Sequence, residues 1–89
     1  MQLTGHLIEV FKDEKSNKEK HFVVIDTTID DRYPKCVAVA FFGRSLDYLK
    51  NLNLQRDEMV TVEYEPESRK YNERYLTELR GFKVRRGRE

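Results

Sequence analysis

Cysteine is nearly absent from this chain of 89 residues: Cys36 stands alone, so no intrachain disulfide can form. One thiol, with no secretory-type leader ahead of Leu3, fits a reducing cytoplasm. Long apolar runs are missing as well. The longest, Val37–Phe42, is far short of the roughly 20 residues of a membrane span, so no membrane partner is expected. No repeat, low-complexity tract or Pro/Gly-rich linker divides the chain, and its length predicts one domain. Catalytic constellations are missing too. His6 and His21 fall on strand-like runs with no matched nucleophile, and Cys36 has no nearby base in sequence. There is no metal-ligand spacing, Gly-rich phosphate loop or carboxylate pair, and Asp30-Asp31 reads as turn chemistry rather than a cation site. Neither enzymatic activity nor a cofactor is expected.

The charge balance is also nearly empty of information. Net charge is +1, which points to no partner by itself. Charged residues make up 37% and hydrophobic ones 38%; because the hydrophobics cluster, a small core with charged faces is expected rather than disorder. The distribution is more telling. Residues 1–43 carry a net −1 and residues 44–89 a net +2, and five cations (Arg80, Lys83, Arg85, Arg86, Arg88) crowd the end of the chain against Glu89. Such an end suits phosphate contact or a solvated frayed terminus. The expected division is a folded domain over 1–85 and a basic tail over 86–89.

What is present is β periodicity. Leu3, Gly5 and Leu7 share one parity, and Ile8 and Val10 the other, so the first strand slips phase near Leu7-Ile8, as at a bulge. Gly5 removes a side chain where backbones approach closely. Lys12–Lys20 holds seven charges and no apolar residue and reads as a solvated loop. Lys15, Lys18 and Lys20 suit nucleic acid there, but Asp13, Glu14 and Glu19 cancel most of their field. His21–Thr28 and Lys35–Phe42 are the next strands, joined through a turn at Asp30–Pro34. Val23, Ile25, Val37, Val39 and Phe41 face inward; Phe22, Val24, Ala38, Ala40 and Phe42 face outward as an exposed apolar patch. Ser45 is placed to cap a short helix with Leu46, Leu49 and Leu52 at helical spacing.

Met59–Val84 reads as a long hairpin. Val60, Val62 and Tyr64 alternate with polar residues, Tyr75, Thr77 and Leu79 repeat the pattern, and the polar stretch Glu67–Arg74 carries Arg69-Lys70-Tyr71 near the tip. After Leu79 the apolar parity moves to Phe82 and Val84, which predicts a bulge or bend at Arg80-Gly81. The order is β-β-β-α-β-β, which is that of the OB-fold: an all-β, five-stranded Greek-key barrel with one short helix between strands three and four.

Phe41-Phe42-Gly43-Arg44, Tyr48-Leu49-Lys50, Val60–Glu63, Ser68-Arg69-Lys70-Tyr71 and Arg74-Tyr75-Leu76-Thr77-Glu78, in that order, resemble the core of bacterial single-stranded DNA-binding proteins. Over nearly its full length the chain also resembles a family of short OB-fold proteins of unassigned function, mostly from gut bacteria and their phages, which share Thr4-Gly5, Tyr33-Pro34-Lys35, Phe42-Gly43 and Glu67-Ser68-Arg69. The first resemblance implies base stacking on Phe42 and Tyr71. A third aromatic of that family falls where this chain has Cys36, with Tyr33 near enough to compensate. The acidic partner-recruiting tip of that family has no counterpart in Arg85–Glu89.

The expected function is therefore binding of single-stranded nucleic acid without strong sequence preference, DNA before RNA, in a DNA replication or repair setting. Phe42 and Tyr71 are the stacking platforms, each worth about 1–3 kcal/mol per base. Arg69, Lys70, Arg74 and Lys35 hold the backbone, and Tyr33 supports the same face. The acidic row Glu63, Glu65, Glu67 repels phosphates, so a bound strand is expected to avoid it. The alternative is a homo-oligomeric OB module, a dimer or tetramer, that uses the outer faces of strands two and three for protein contacts and binds no nucleic acid.

Overall fold

The computed structural model describes residues 1–15 and 17–87. Its elements are β1 (Gln2–Lys12), β2 (Lys20–Asp26), β3 (Cys36–Phe42), α1 (Arg44–Leu52), β4 (Met59–Tyr71) and β5 (Arg74–Arg86). Antiparallel ladders join β1 to β2, β2 to β3, β4 to β5 and β1 to β4. A parallel bridge, Ala40 opposite Arg80, closes β3 on β5. The closed order β1-β2-β3-β5-β4 with α1 between β3 and β4 is the five-stranded OB-fold barrel.

The period-2 pattern explains the core. Leu7, Val23, Ile25, Val39, Phe41, Val60, Val62 and Val84 point inward and are buried, and Leu46 and Leu49 of α1 join them. Each such side chain contributes about 1.5–3 kcal/mol by leaving water. β1 serves both neighbours: Gln2–His6 pair with β4, and His6–Lys12 with β2. The register slips between Leu7 and Glu9, so Ile8 is the bulge that turns the strand, as its sequence phase predicts. Gly5 is a true close approach, since a Cβ there would collide with the Asp26 carbonyl and the Ile25 side chain. Thr61 is the buried polar residue of β4. Its hydroxyl meets Thr4 Oγ1 at 2.9 Å and donates to the Gly87 carbonyl at 2.9 Å, so it is fully satisfied.

Three expectations need correction. Ser45 does not cap α1; the N-cap is Gly43 at φ 65°, and the Ser45 hydroxyl donates back to the Phe42 carbonyl at 2.8 Å. The sharp exit from β3 takes a positive φ, which suits glycine and leaves Ser45 already within the first turn. The hairpin itself runs as expected through the polar stretch Glu67–Arg74. The ladder runs unbroken to Tyr71 opposite Arg74, and the turn is Asn72-Glu73, at φ 48° and 65°. A ribbon needs paired backbones rather than apolar side chains, so polar residues continue it. Phe82 does not join Val84 in the core: it is itself the unpaired bulge residue, 46% exposed, between Gly81 opposite Tyr64 and Lys83 opposite Glu63. Gly81 is inside instead, where a Cβ would strike the Phe41 ring. Finally, Ala40 is not part of an exposed patch. It is fully buried, because Phe22 on one side and Arg80 on the other are its ladder partners and a methyl group is too short to stand clear of them.

The chain end is tied into the barrel. β5 runs through Arg86, the Gly87 N–H donates to the Met59 carbonyl at 2.8 Å, and the Arg86 guanidinium bonds the Leu52 and Asn53 carbonyls at the end of α1. Arg86 also meets Glu58 at 3.3 Å. Of the expected tail 86–89, Arg88 and Glu89 lie outside the described residues. No helix among the described residues is long and apolar enough to cross a membrane.

Candidate nucleic-acid interface

The outer surface of β3 ends in Phe42, and the fold surrounds that ring with cations. Arg80, brought alongside β3 by the parallel bridge, holds its guanidinium carbon 4.6 Å from the ring centroid. Lys18 and Lys20 each place Nζ at 5.9 Å. Within about 6 Å such contacts are attractive. Lys20 lies opposite Phe42 in the β2–β3 ladder, and its Nζ also bonds Glu78 of β5 at 3.0 Å. Farther along the same face Phe11 and Phe22 stack with centroids 5.3 Å apart.

Phe42 forms one wall of a cleft of ≈ 350 Å³, between the β1–β2 loop and the hairpin arm, which Asp13, Lys15, Asn17, Lys18, Lys20 and Arg69 complete. One of the three loop acids, Glu19, is drawn away from these lysines. Glu19 turns away to Lys50 of α1 at 2.8 Å and to His21 at 3.2 Å, and the Lys50 hydrogen bond holds its carboxyl below the usual range. Asp13 caps its own turn, accepting from the Lys15 N–H at 3.0 Å. The cleft lining offers an aromatic face, four cations, of which Lys20 is paired with Glu78, and the carboxylate of Asp13, a set suited to a base with its phosphates.

The arm extends this surface. Beyond Tyr64, β4 pairs with β5 alone, and seven residues from Glu65 to Tyr71 carry it roughly 20 Å outward. Alternation divides its side chains. Arg69, Tyr71, Arg74 and Leu76 share the face that continues through Glu67, Glu78 and Arg80 to Phe42. Lys70 and Tyr75 share the opposite face, so Lys70 is not grouped with the other arm cations. Tyr71 is 61% exposed beside the tip. The acidic row lies on the same face as Arg69 and Tyr71, but two of its three members are matched: Glu67 to Arg80 at 3.3 Å and Glu63 to Arg85 at 3.8 Å. Surface pairs of this kind are worth little and exchange readily for other partners.

Tyr33 and Lys35 are elsewhere. They sit at the β2–β3 turn, beyond Cys36 at the far end of β3, roughly 20 Å of strand from Phe42. Tyr33 is exposed under the Arg32 guanidinium at 5.8 Å, and Asp30 is held below the usual carboxylate range by its hydrogen bonds from Arg32. The path between Tyr33 and Phe42 along the outside of β3 is floored by the exposed Cys36 and Ala38. The structure thus groups Phe42 with Arg69, groups Tyr71 with Arg74 on the same face of the arm, and leaves Tyr33 and Lys35 as a separate station. In sequence Arg80 counts only among the cations of the chain end, because nothing local marks the parallel bridge that sets it over Phe42. Among the described residues no cluster of three or more His, Cys, Asp or Glu could hold a metal ion.

Similarity to known proteins agrees with this architecture. The family model described as a domain of unknown function, DUF3127, matches residues 2–85. No curated protein matches the chain in sequence. Among solved structures, the mitochondrial single-stranded DNA-binding protein Rim1 of S. cerevisiae superposes with a TM-score of 0.71 at 12% identity, covering 97% of this chain and 91% of that one. A second crystal form of Rim1 gives 0.70 at 13% identity, covering 97% and 90%.

Proposed function

We propose that this chain, which belongs to the DUF3127 family, binds single-stranded nucleic acid, DNA before RNA, without strong sequence preference. The observation that carries this reading is the cleft in which Phe42 faces Lys15, Lys18, Lys20 and Arg69. A flat aromatic ring accepts any base, and the surrounding cations meet phosphates, so the pair of features fits a strand read by shape and charge. Tyr71 and Arg74 continue the track along the arm, and Lys70, on the opposite face, meets only a strand that wraps the tip. Tyr33 and Lys35 serve a strand that runs the length of β3. The fold likeness to Rim1 supports the same reading, since Rim1 is a single-stranded DNA-binding protein.

The test is a fluorescence-anisotropy titration with single-stranded and duplex oligonucleotides at two salt concentrations. With about four phosphates engaged, log affinity falls against log salt with a slope near −3. Equal weak binding to both nucleic acids, or affinity indifferent to salt, would overturn the reading. A second reading is a homo-oligomer formed through the outer faces of β2 and β3. It is favoured by the exposed Ala38 and the half-buried Val24 and Phe22 on one apolar face, now without Ala40. Light scattering decides it: a monomer at working concentration removes it, and an oligomer that still binds DNA keeps both.

A further inference from the structure

Phe82 and Tyr48 make a second aromatic surface, where α1 faces β5. The bulge breaks alternation and leaves Phe82 and Lys83 as consecutive exposed side chains. Phe82 is 46% and Tyr48 42% exposed. With Arg44, Ser45 and Lys83 they line a shallow groove of ≈ 270 Å³. Packing of the helix does not require either ring, because Leu46 and Leu49 already supply its buried contacts. The groove lining holds two cations and no carboxylate; the acid opposite Lys83 in the ladder, Glu63, is bridged to Arg85 at 3.8 Å.

Arg80 connects this groove to the cleft at Phe42. Its guanidinium carbon lies 4.6 Å from the Phe42 centroid and 5.9 Å from that of Phe82, so the two rings are no more than about 10.5 Å apart. That bound corresponds to at most about three nucleotides at the roughly 3.4 Å rise of a stacked strand, and fewer for an extended one.

We infer that the groove between α1 and β5 is a second base-stacking site on the same strand path. A strand leaving Phe42 crosses Arg80, stacks a base on Phe82 beside Tyr48, and sets its phosphates against Arg44 and Lys83. The site rests on the single-strand-binding reading and extends it to a surface on the other side of Phe42 from the arm. The cationic lining favours a polyanion over a second copy of the chain.

The chain has no tryptophan, so Phe42→Trp and Phe82→Trp each introduce a sole indole reporter. Both variants are titrated with oligothymidylates from about 3 to 20 nucleotides, after their thermal transitions are matched to the parent protein. Quenching of both is expected, with Phe82→Trp requiring the longer oligonucleotides. Phe82→Ala is expected to weaken long oligonucleotides roughly 5- to 150-fold and to leave trimers within about twofold, the range of one lost stacked base. Unchanged emission from Phe82→Trp at an oligonucleotide concentration that quenches Phe42→Trp overturns this site and spares the general reading. Emission from Phe82→Trp that follows protein concentration and ignores oligonucleotide also overturns it, and gives the groove to a contact between copies. Absence of any binding by the parent protein is the separate signature of failure of the general reading.

Discussion

The lower and upper halves of the β4–β5 hairpin are one continuous ladder held by different physics. In the lower half Val60, Val62 and Val84 are fully buried in the barrel. In the upper half every residue from Glu65 to Thr77 is exposed, and the ribbon has backbone pairing with no apolar burial. A two-stranded ribbon without a covered face is marginal alone. Stability therefore resides in the barrel, and the arm is carried by it. Substitutions in the arm leave the fold standing, and substitutions in the barrel core do not. β3 repeats the contrast within two residues: Phe41 is buried in the core, and Phe42 lies on the outer face among cations.

That adjacent pair gives the largest expected effect. Phe41→Ala should cost about 3–5 kcal/mol of stability in urea denaturation, as a large aromatic is removed from a packed core. Against a total of roughly 5–15 kcal/mol for a natural domain this is a large fraction. Phe42→Ala should leave most of the stability and remove about 1–3 kcal/mol of single-strand affinity. Equal destabilisation by both would place Phe42 among the structural residues and end its role as a platform.

The arm gives the next effect. Tyr71→Ala should weaken single-strand binding by about 1–3 kcal/mol and leave the urea midpoint unchanged. A lowered midpoint with unchanged affinity would instead mean that the ring only stiffens its own hairpin. Smaller still is the electrostatic increment. Arg69→Ala should reduce the salt slope by about 0.7, the value of one phosphate contact on a single strand. Lys70→Ala should do less, since Lys70 is on the face of the arm opposite Arg69 and Phe42. An equal effect of the two would show that a bound strand wraps both faces.

The sequence was most readable where alternation decides the fold. The β-β-β-α-β-β order, the inward row Val23, Ile25, Val39, Phe41 and the bulge at Ile8 all follow from side chains pointing to alternate faces. The arm residues were readable as a basic, aromatic tip. What stayed hidden depends on contacts between distant strands. The parallel bridge that brings Arg80 over Phe42 has no local signature. The burial of Ala40 depends on the ladder partners beside it rather than on its own strand. Phe82 misled because an apolar residue two before a core valine normally shares its face, and a bulge between them reverses that. Glu19 counted against its loop lysines in sequence, yet in space it is bonded to Lys50 and His21.

The smallest effect is the most direct test of the division between arm and barrel. Glu73 occupies the turn at φ 65°, a conformation that costs a residue with a Cβ about 1–2 kcal/mol. Glu73→Gly removes that cost, less up to about 1 kcal/mol for the added freedom of the unfolded chain. If the arm opens independently of the barrel, the gain appears only locally, as severalfold slower amide exchange around Lys70–Tyr75 by native-state hydrogen exchange. The thermal midpoint should then stay where it is, because the barrel unfolds with the arm already open. A rise of about 4–8 °C per kcal/mol would be the signature of one cooperative unit. In that event the arm is load shared with the core, and loss of affinity in Tyr71→Ala could no longer be read as loss of a stacking contact alone.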